Sequence, residues 1–446
     1  MKKTIVKIER MGSDGEGIAY IDNNPVFIYY TLIGEVVEIN LFKNKRGAFE
    51  GELLNIIETS QIREEVLWKY YMKSGSLNLL HLTYFEQLKY KRNVINFLLS
   101  SKIRRITNKT KVELTIGSKD TMNYRNKTDI PLLYMRGKNA LANYYRGSNN
   151  LFPIDELVAE DKNIISALDS ILKVLDEFNI KAYNFKNKKG EVYSVSVRVN
   201  LEGKAQVMLN VSRELNLKDF STKLIETNNN IISIYQNVIT RYRSNVDTYN
   251  GTLSLVGGFK YLEMKLNNLK FYLTPLSFFQ LNTNQSVVLY KKIIELANFK
   301  KTDTVLDAYS GVGTIASFIS SHVKEVVAVE SIKDATLDME YSLRRNNIDN
   351  VTVITGDLVK MTNYLDRKFK FDKVLFDPPR TGLGKDVCNY LLKTLPKEII
   401  YVSCNPKTLV EDLETLSKNY TVISITPIDM FPQTSQIESI TILKLR

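Results

Sequence analysis

The sequence predicts a multidomain α/β protein with an OB-like β-barrel at the N-terminus, an α+β domain in the middle and a Rossmann-like domain at the C-terminus. Three observations lead to this prediction. Short strands punctuated by glycines fill residues 1–58, positive charge is concentrated in residues 59–275, and strands alternate with helices through residues 276–446. A chain of 446 residues is long enough for three such domains.

Residues 1–58 have the pattern of a small β-barrel. The predicted strands cover residues 3–9, 18–21, 25–30, 35–42 and 49–57. Several short strands at this spacing are typical of OB-like barrels, which often bind RNA. The region carries a net charge of −2, so we expect it to assist RNA binding without dominating it. A purely structural cap is the alternative interpretation.

Residues 59–275 carry most of the positive charge of the chain. Their net charge is +13, and residues 89–146 alone have a net charge of +11. Basic residues are interleaved there with aromatic and amide side chains, as in 123–127 and 143–146. Phosphate neutralisation together with base stacking requires this mixture, so we predict an RNA-binding domain. The alternative is a charged face that contacts only water.

Residues 276–446 alternate between helices and strands that are rich in apolar β-branched residues. This pattern predicts a mostly parallel sheet covered by helices on both faces. The predicted strands are 303–307, 325–330, 351–355, 373–377 and 399–402. The predicted helices are 284–297, 314–321, 333–346 and 385–395, with two more at 67–99 and 164–178 in the middle domain.

Polar residues follow four of these strands, at the edge of the sheet where α/β proteins bind ligands. The first strand leads into a loop with glycines at 311 and 313, whose backbone can approach a ligand closely. The loop is neither G-x-G-x-x-G nor a P-loop. Glu330 ends the second strand, where a carboxylate accepts hydrogen bonds from ribose hydroxyls, and Asp357 and Asp377 follow the third and fourth. S-adenosylmethionine fits all four positions, and NAD fits less well.

Composition limits the other kinds of site that the chain can build. Two cysteines and two histidines exclude a disulfide framework and a Cys-rich or His-ligated metal site. The N-terminus lacks the apolar segment of a signal peptide, and no run approaches the roughly 18 apolar residues of a membrane span. The sequence therefore predicts a cytoplasmic protein without a membrane partner, and no obligate protein partner is evident.

A cysteine follows the last predicted strand. The apolar run 399–402 stops at Ser403-Cys404-Asn405-Pro406, because Asn-Pro marks a turn and proline cannot continue a central strand. Cys404 therefore lies at the carboxyl end of a buried strand. Taken alone, such a cysteine is more often a small buried apolar residue than a nucleophile. The other cysteine, Cys388, lies in an ordinary helical pattern.

Four motifs together resemble the RNA uracil-C5 methyltransferases, the family of tRNA and 23S rRNA 5-methyluridine enzymes. They are Asp377-Pro-Pro-Arg380, the Ser-Cys-Asn-Pro turn, residues 429–434 with Glu438-Ser439, and the upstream stretch 275–282. The resemblance covers nearly the whole chain. The N-terminal barrel is similar to the TRAM domain of many members, and residues 124–127 are similar to a signature of their central domain.

The resemblance implies a covalent mechanism. C5 of uracil is too weak a nucleophile to attack a methyl sulfonium, but a thiolate that adds to C6 converts C4–C5 into an enolate, which can. That role falls to Cys404. The C5 proton must leave before the thiolate is eliminated, so a base is needed, and Glu438 takes this role 34 residues later. Positive charge favours a thiolate, and Arg380 and Lys407 are the candidates for supplying it.

The same resemblance implies the residues that contact S-adenosylmethionine. They are Gln280, Tyr309, Glu330 and Asp377. Without the resemblance, Gln280 could cap the following helix, Tyr309 could be a core residue and Asp377 could form a turn. The target uridine must leave its stack to reach the thiol, which explains the need for a large domain that holds RNA.

The sequence departs from the family in one respect that affects a cofactor. Many relatives bind a [4Fe–4S] cluster through cysteines after the barrel and in the central domain. Here Ser74 and Leu77 stand where two of those cysteines are expected, so we predict a member without an iron–sulfur cluster and without a metal site. Gln433 and Gln436 stand where some relatives have histidines near the base.

Several functions remain open at this level. The barrel and the large basic domain favour 23S rRNA over tRNA as substrate, because smaller tRNA enzymes of this type generally lack the barrel. Methylation of a base amino group is a second enzymatic interpretation, since Asp-Pro-Pro resembles a motif of those enzymes, but Arg380 and Cys404 count against it. A ribosome-assembly factor that binds RNA without catalysis is the third.

Overall fold

The computed structural model describes residues 2–102, 110–242 and 250–446. The chain packs into two compact units, of which one comprises Met1–Thr121 and Asp377–Arg446 and the other comprises Met122–Phe376. Part of the basic stretch 89–146, residues 103–109, lies outside the described residues. The domain boundaries at 58/59 and 275/276 remain a prediction.

The first unit begins with a six-stranded sheet, and the predicted strands are confirmed to within a few residues. Its order is β1-β5-β6-β4-β3-β2. The strands are β1 Lys2–Lys7, β2 Arg10–Met11, β3 Gly17–Ile21, β4 Asn24–Ile28, β5 Val36–Lys43 and β6 Phe49–Glu58. Apolar side chains such as Val26, Ile28 and Ile39 meet inside. Gly51 leaves room for them, since a Cβ there would lie 2.7 Å from Ile28 and Ile39.

Two helices follow the barrel, where the sequence predicted a single helical stretch over 67–99. They are α1 Tyr71–Ser74 and α2 Tyr84–Lys102, so the prediction is wrong for the residues between them. Gly75 and Leu77 adopt positive φ values of 65° and 50°, which a right-handed helix does not tolerate. Strand β7, Lys111–Val112, then closes the N-terminal segment of this unit.

The second unit begins with a seven-stranded sheet of order β10-β9-β8-β11-β12-β13-β14. Its strands are β8 Lys127–Met135, β9 Lys138–Tyr144, β10 Leu151–Pro153, β11 Val192–Val199, β12 Ala205–Val211, β13 Ile231–Val238 and β14 Thr252–Gly258. Helix α3, Lys162–Glu177, confirms the predicted amphipathic helix, and α4 spans Lys218–Thr227. The hairpin of β15, Leu262–Leu266, and β16, Leu269–Leu273, completes this region.

A parallel α/β region forms the rest of the second unit. Its strand order is β19-β18-β17-β20, and each neighbouring pair is parallel, as predicted. The strands are β17 Thr304–Ala308, β18 Glu325–Glu330, β19 Val351–Thr355 and β20 Lys373–Phe376. The helices are α5 Thr283–Ala297, α6 Thr314–Ser320, α7 Lys333–Arg345 and α8 Leu358–Lys368.

The C-terminal segment belongs to the first unit and is antiparallel. Its elements are α9 Gly384–Thr394, β21 Glu398–Ser403, α10 Pro406–Leu416, β22 Tyr420–Ile428 and β23 Glu438–Leu445. Strand β23 lies between β21 and β22 and runs antiparallel to both. Strand β7 pairs parallel with β22. The sequence predicted β21 and α9, but neither α10 nor the final two strands. Among the described helices, none has the length and apolar character needed to span a membrane.

Candidate active site

Cys404 lies between the end of a strand and the start of a helix. Strand β21 ends at Ser403, and Asn405 caps α10 by accepting a hydrogen bond from the backbone N–H of Lys407 at 3.1 Å. Pro406 occupies the first turn of α10, where the missing N–H costs nothing. The hydroxyl of Ser403 accepts a hydrogen bond from the N–H of Asn405 at 3.2 Å. The thiol therefore stands beside a helix N-terminus, whose dipole favours negative charge.

The Asp-Pro-Pro-Arg loop is joined to this turn through one carbonyl group. The backbone oxygen of Arg380 accepts hydrogen bonds from the side-chain amide of Asn405 at 2.8 Å and from the hydroxyl of Thr408 at 3.3 Å. Farther along, the buried carboxylate of Asp412 accepts from the N–H of Leu383 at 2.8 Å. Two loops that are far apart in sequence are thus held as one structure around Cys404.

Glu438 is brought to the same place by strand register. Ser403 in β21 pairs with Ser439 in β23. Glu438 and Cys404 are the next residues beyond this pair on the two chains, and the negative charge of Glu438 contributes to the raised pKa of Cys404. Glu438 is 2% exposed, and its Oε1 has no hydrogen-bond partner among the described residues.

Burial dominates the electrostatics of these groups. It raises the pKa of Cys404 to about 12, with further contributions from the negative charges of Glu438 and Asp377, while Arg380 acts in the opposite direction. Burial also raises the pKa of Glu438 well above its ordinary value, and Asp377 adds to that shift while Arg380 opposes it. A raised pKa is typical of a carboxyl group that exchanges protons in a catalytic site, whereas the raised pKa of the Cys404 thiol means that thiolate formation depends on nearby positive charge. The arrangement combines a thiol, a buried carboxyl group and one opposing positive charge.

The two candidates for stabilising the thiolate differ. The charge of Arg380 lowers the pKa of Cys404. The ammonium group of Lys407 instead lies 3.3 Å from the carboxylate of Asp14, and both side chains are at least half exposed. Arg380 is therefore the better supported counter-charge.

In the second unit, the glycine loop and Glu330 form a preorganised structure. One carboxylate oxygen of Glu330 accepts from the N–H of Gly311 at 2.9 Å, and the other accepts from the N–H of Ile332 at 2.9 Å. Tyr309 and Gly311 have φ values of 63° and 55°, and a Cβ at Gly311 would meet nothing within 4 Å. The buried hydroxyl of Ser310 has no partner in the described part of the chain. These features fit a nucleoside with ribose hydroxyls that needs close approach to the backbone.

Gln280 lies on the loop before α5 and is held from the signature stretch 124–127. The side-chain amide of Asn126 donates to the backbone oxygen of Gln280 and to the hydroxyl of Thr283, both at 2.8 Å. The N–H of Asn126 donates to the backbone oxygen of Leu281 at 2.8 Å. Asn126 therefore positions the loop that carries Gln280, a role that the sequence analysis did not assign. Gln280, Tyr309 and Glu330 belong to the second unit, whereas Cys404, Glu438 and Asp377 belong to the first.

The sequence analysis also missed a buried ion pair that holds the motif 429–434. Lys91 in α2 and Asp429 are completely buried, with their charged atoms 2.5 Å apart. Asp429 accepts a second hydrogen bond from the hydroxyl of Tyr84 at 2.8 Å, and Lys91 donates to the backbone oxygen of Phe431 at 3.1 Å. The sequence contained a signal for a buried polar contact, because Tyr84 and Lys91 share a helical face with buried Val94.

A pair of glutamines makes a second clamp on the same motif. The amide of Gln87 donates to the side-chain oxygen of Gln433 at 2.7 Å, and its own oxygen accepts from the N–H of Gln433 at 3.0 Å. Asn78 and Ser435 make a further reciprocal pair, at 3.0 and 2.9 Å. Gln433 thus holds the motif 429–434 against α2 through its side chain and its backbone.

The stretch 74–81, for which we predict no iron–sulfur cluster, contains a buried histidine. His81 is completely buried and contacts the hydroxyl of Tyr71. Burial and the positive charge of Arg63 lower the pKa of His81 to about 3, so the ring is neutral. Within the described ranges, no group of three or more His, Cys, Asp and Glu side chains is arranged to hold a metal ion. The absence of an iron–sulfur cluster remains a prediction.

The family models and the relatives that match this chain agree on one protein family. Residues 83–446 match the model of the tRNA (Uracil-5-)-methyltransferase family, and residues 3–54 match the TRAM domain. An uncharacterized RNA methyltransferase of Clostridium tetani is 34% identical over 445 residues, covering 98% of this chain and 95% of its own. Another from Lactobacillus johnsonii is 33% identical over 449 residues, covering 100% and 97%.

A solved structure has the same fold along its whole length. It is the tRNA (uracil-54, C5)-methyltransferase of Pyrococcus abyssi in complex with S-adenosyl-L-homocysteine, with a TM-score of 0.77 and 23% identity. The match covers 99% of this chain and 100% of that one. It confirms the predicted combination of an N-terminal TRAM barrel with a Rossmann-like α/β fold.

Proposed function

The chain belongs to the tRNA (uracil-5-)-methyltransferase family, and from this premise we propose that it transfers a methyl group from S-adenosylmethionine to C5 of uridine in 23S rRNA. The observation that carries the proposal is the register that sets Cys404 across from the buried Glu438. A thiol opposite an unpaired carboxyl group is what addition to C6 and removal of the C5 proton require.

The proposed reaction proceeds through a covalent adduct. The thiolate of Cys404 forms a bond to C6, and the electron pair of the C5–C6 double bond moves onto C5 and the C4 oxygen. C5 then takes the methyl group that the sulfonium of S-adenosylmethionine supplies. Glu438 removes the C5 proton, the C5–C6 double bond re-forms and the thiolate leaves. Because its pKa is raised, Glu438 is a stronger base than an exposed glutamate once it has lost its own proton.

Glu330 and the Gly311 loop are proposed to hold the methyl donor. Both oxygens of Glu330 already accept backbone hydrogen bonds, which fixes the carboxylate for further acceptance from ribose hydroxyls. The open space beside Gly311 admits a ligand next to the backbone. Tyr309, Gln280 and Asp377 complete the proposed contacts.

The choice of 23S rRNA rests on the charge of the central region. The net charge of +11 over residues 89–146 suits a large folded RNA with many phosphates. The barrel does not select between substrates, because the P. abyssi protein, named as a tRNA enzyme, matches this fold along its whole length. Transfer RNA is therefore the second candidate substrate. Either RNA is cytoplasmic, and we propose that the enzyme works there.

The experiment that tests this proposal supplies methyl-labelled S-adenosylmethionine with unmodified 23S rRNA and unmodified tRNA. We expect label in 5-methyluridine of 23S rRNA. Label only in tRNA would correct the substrate and retain the chemistry, and label on a base amino group would overturn the reaction. Cys404→Ala should lose at least about 10³-fold in rate while it still binds RNA. Cys388→Ala is the matched control, because Cys388 is a buried helical residue, and it should retain activity.

A further inference from the structure

The second unit carries a cluster of three aromatic rings that the proposed chemistry does not use. The rings of Tyr193 and Tyr242 are nearly parallel, with centroids 4.5 Å apart and an angle of 7°. Phe185 lies against both, at 5.8 Å and 20° from Tyr193 and at 6.0 Å and 27° from Tyr242. Tyr193 is 6% exposed, whereas Phe185 is 49% exposed. Phe185 is thus nearly equidistant from the two tyrosines and lies beside the stacked pair, which supports one side of this half-exposed ring.

Phe185 sits in a tight turn that exposes three lysines. The side chain of Asn184 accepts from the N–H of Lys186 at 2.9 Å, and its backbone N–H donates to the oxygen of Lys189 at 2.7 Å. The N–H of Lys188 donates to the oxygen of Asn184 at 2.8 Å. Lys186, Lys188 and Lys189 are all exposed. The turn thus holds a half-exposed aromatic residue and three exposed lysines within five consecutive residues of the chain.

We propose that Phe185 with Lys186, Lys188 and Lys189 forms a platform for an unpaired stretch of the substrate RNA. A base stacks on the open face of Phe185, and the lysines contact the phosphates on either side. This rests on the proposed function only in that the substrate is RNA. An apolar ring alone would suit a protein partner equally well, but three adjacent positive charges complement a phosphate backbone. A duplex has no free base face to offer, so the platform selects single-stranded RNA.

The test measures binding of a short fluorescein-labelled RNA of mixed sequence, single-stranded and as a duplex. Phe185→Ala should weaken single-strand binding by roughly five-fold or more and leave duplex binding unchanged. Phe185→Trp should retain wild-type affinity for the single strand. The chain has one tryptophan, so the new indole also reports stacking through quenching of its emission by the RNA. Tyr364→Ala is the control, because this ring is 43% exposed with Lys368 5.4 Å from its centroid.

The lysines give an independent measurement. Changing all three to glutamine should lower the salt dependence of single-strand affinity, by about 0.7 in the slope of log K against log salt for each phosphate that is no longer neutralised. Unchanged RNA affinity in Phe185→Ala, or equal losses for single strand and duplex, would overturn the platform and favour a protein partner at this turn.

The two proposals fail in different ways. If the wild type methylates uridine but Phe185→Ala binds single-stranded RNA normally, the platform is wrong and the enzyme assignment stands. If no RNA is methylated but Phe185→Ala loses single-strand binding, the platform stands and the enzyme assignment is wrong.

Discussion

Two buried carboxylates of the first unit, Asp429 and Glu438, have opposite surroundings. Both are almost inaccessible, with exposures of 0% and 2%. Asp429 accepts from Lys91 and Tyr84, whereas one oxygen of Glu438 has no partner among the described residues. A buried carboxylate with matched partners stabilises a loop, whereas one with an unpaired oxygen costs stability, as groups at functional sites often do.

The two residues are also connected along the chain. The ion pair of Asp429 anchors the segment that leads directly into β23, and β23 begins with Glu438. The satisfied carboxylate thus positions the unsatisfied one. Replacing each carboxylate by its amide separates the two roles, because the same chemical change should have opposite consequences at the two sites.

The largest expected effect is on turnover in Glu438→Gln. The amide cannot take the C5 proton, so the rate of methylation should fall by about 10²- to 10⁴-fold. Addition and methyl transfer are not blocked, so a covalent protein–RNA adduct should accumulate on ordinary uridine substrate and survive denaturing electrophoresis. Normal turnover in this variant would remove Glu438 from the mechanism. Glu411→Gln, on the half-exposed carboxylate that pairs with Lys102, is the control.

Asp429→Asn should have the largest effect on folding. It leaves the ammonium group of Lys91 buried without a counter-charge, which costs about 3–5 kcal/mol of unfolding free energy. Denaturant unfolding measures this loss. Lys91→Met with Asp429→Leu together should recover much of it, since replacing both partners by apolar groups is often neutral. A loss below about 1 kcal/mol, on the order of a surface ion pair, would contradict the structural role.

Glu438→Gln should change stability in the opposite direction and in a pH-dependent way. The pKa of Glu438 is raised above its ordinary value of 4.5 in the folded protein, so the folded state holds a proton that the unfolded state releases. Wild-type stability should fall as the pH rises from 4.5 toward the folded pKa. The variant lacks this loss, and its advantage should grow by up to about 1.4 kcal/mol per pH unit in that window. An advantage that shrinks with rising pH would refute the shift.

The smallest effect concerns the reactivity of the thiol. Arg380→Gln should raise the pKa of Cys404, and alkylation by iodoacetamide should slow by roughly tenfold for each unit of that rise. Cys404 is the partly exposed cysteine and Cys388 is buried, so the rate reports on Cys404. Lys407→Gln should leave the rate nearly unchanged, because Lys407 pairs with Asp14. A larger effect at Lys407 would reverse the assignment.

Local signals in the sequence were enough to predict the positions of Cys404 and Glu330. Asn405-Pro406 identified the end of β21 and so placed Cys404, since Asn-Pro marks a turn and proline cannot continue a central strand. Strand ends in a parallel region likewise placed Glu330. Cys404 and Glu330 depend on the chain within a few residues of themselves.

The positions of Glu438 and Lys91 instead depend on pairing between distant parts of the chain. That Glu438 opposes Cys404 follows from the antiparallel register of β21 and β23, which no pattern near either residue specifies. Lys91 finds Asp429 across 338 residues of sequence, and its position on an apolar helix face signals only that some partner exists. The gap in the helix predicted over 67–99 depends on positive φ values at Gly75 and Leu77.

The most direct test of the central claim uses 23S rRNA fragments that carry 5-fluorouridine, with S-adenosylmethionine present. Fluorine replaces the proton that we propose Glu438 removes, so the reaction should stop as a covalent complex. We predict a denaturant-stable protein–RNA adduct that mass spectrometry maps to Cys404. The absence of an adduct on 23S rRNA and tRNA alike, despite tight RNA binding, would contradict the assignment of Cys404 as the nucleophile.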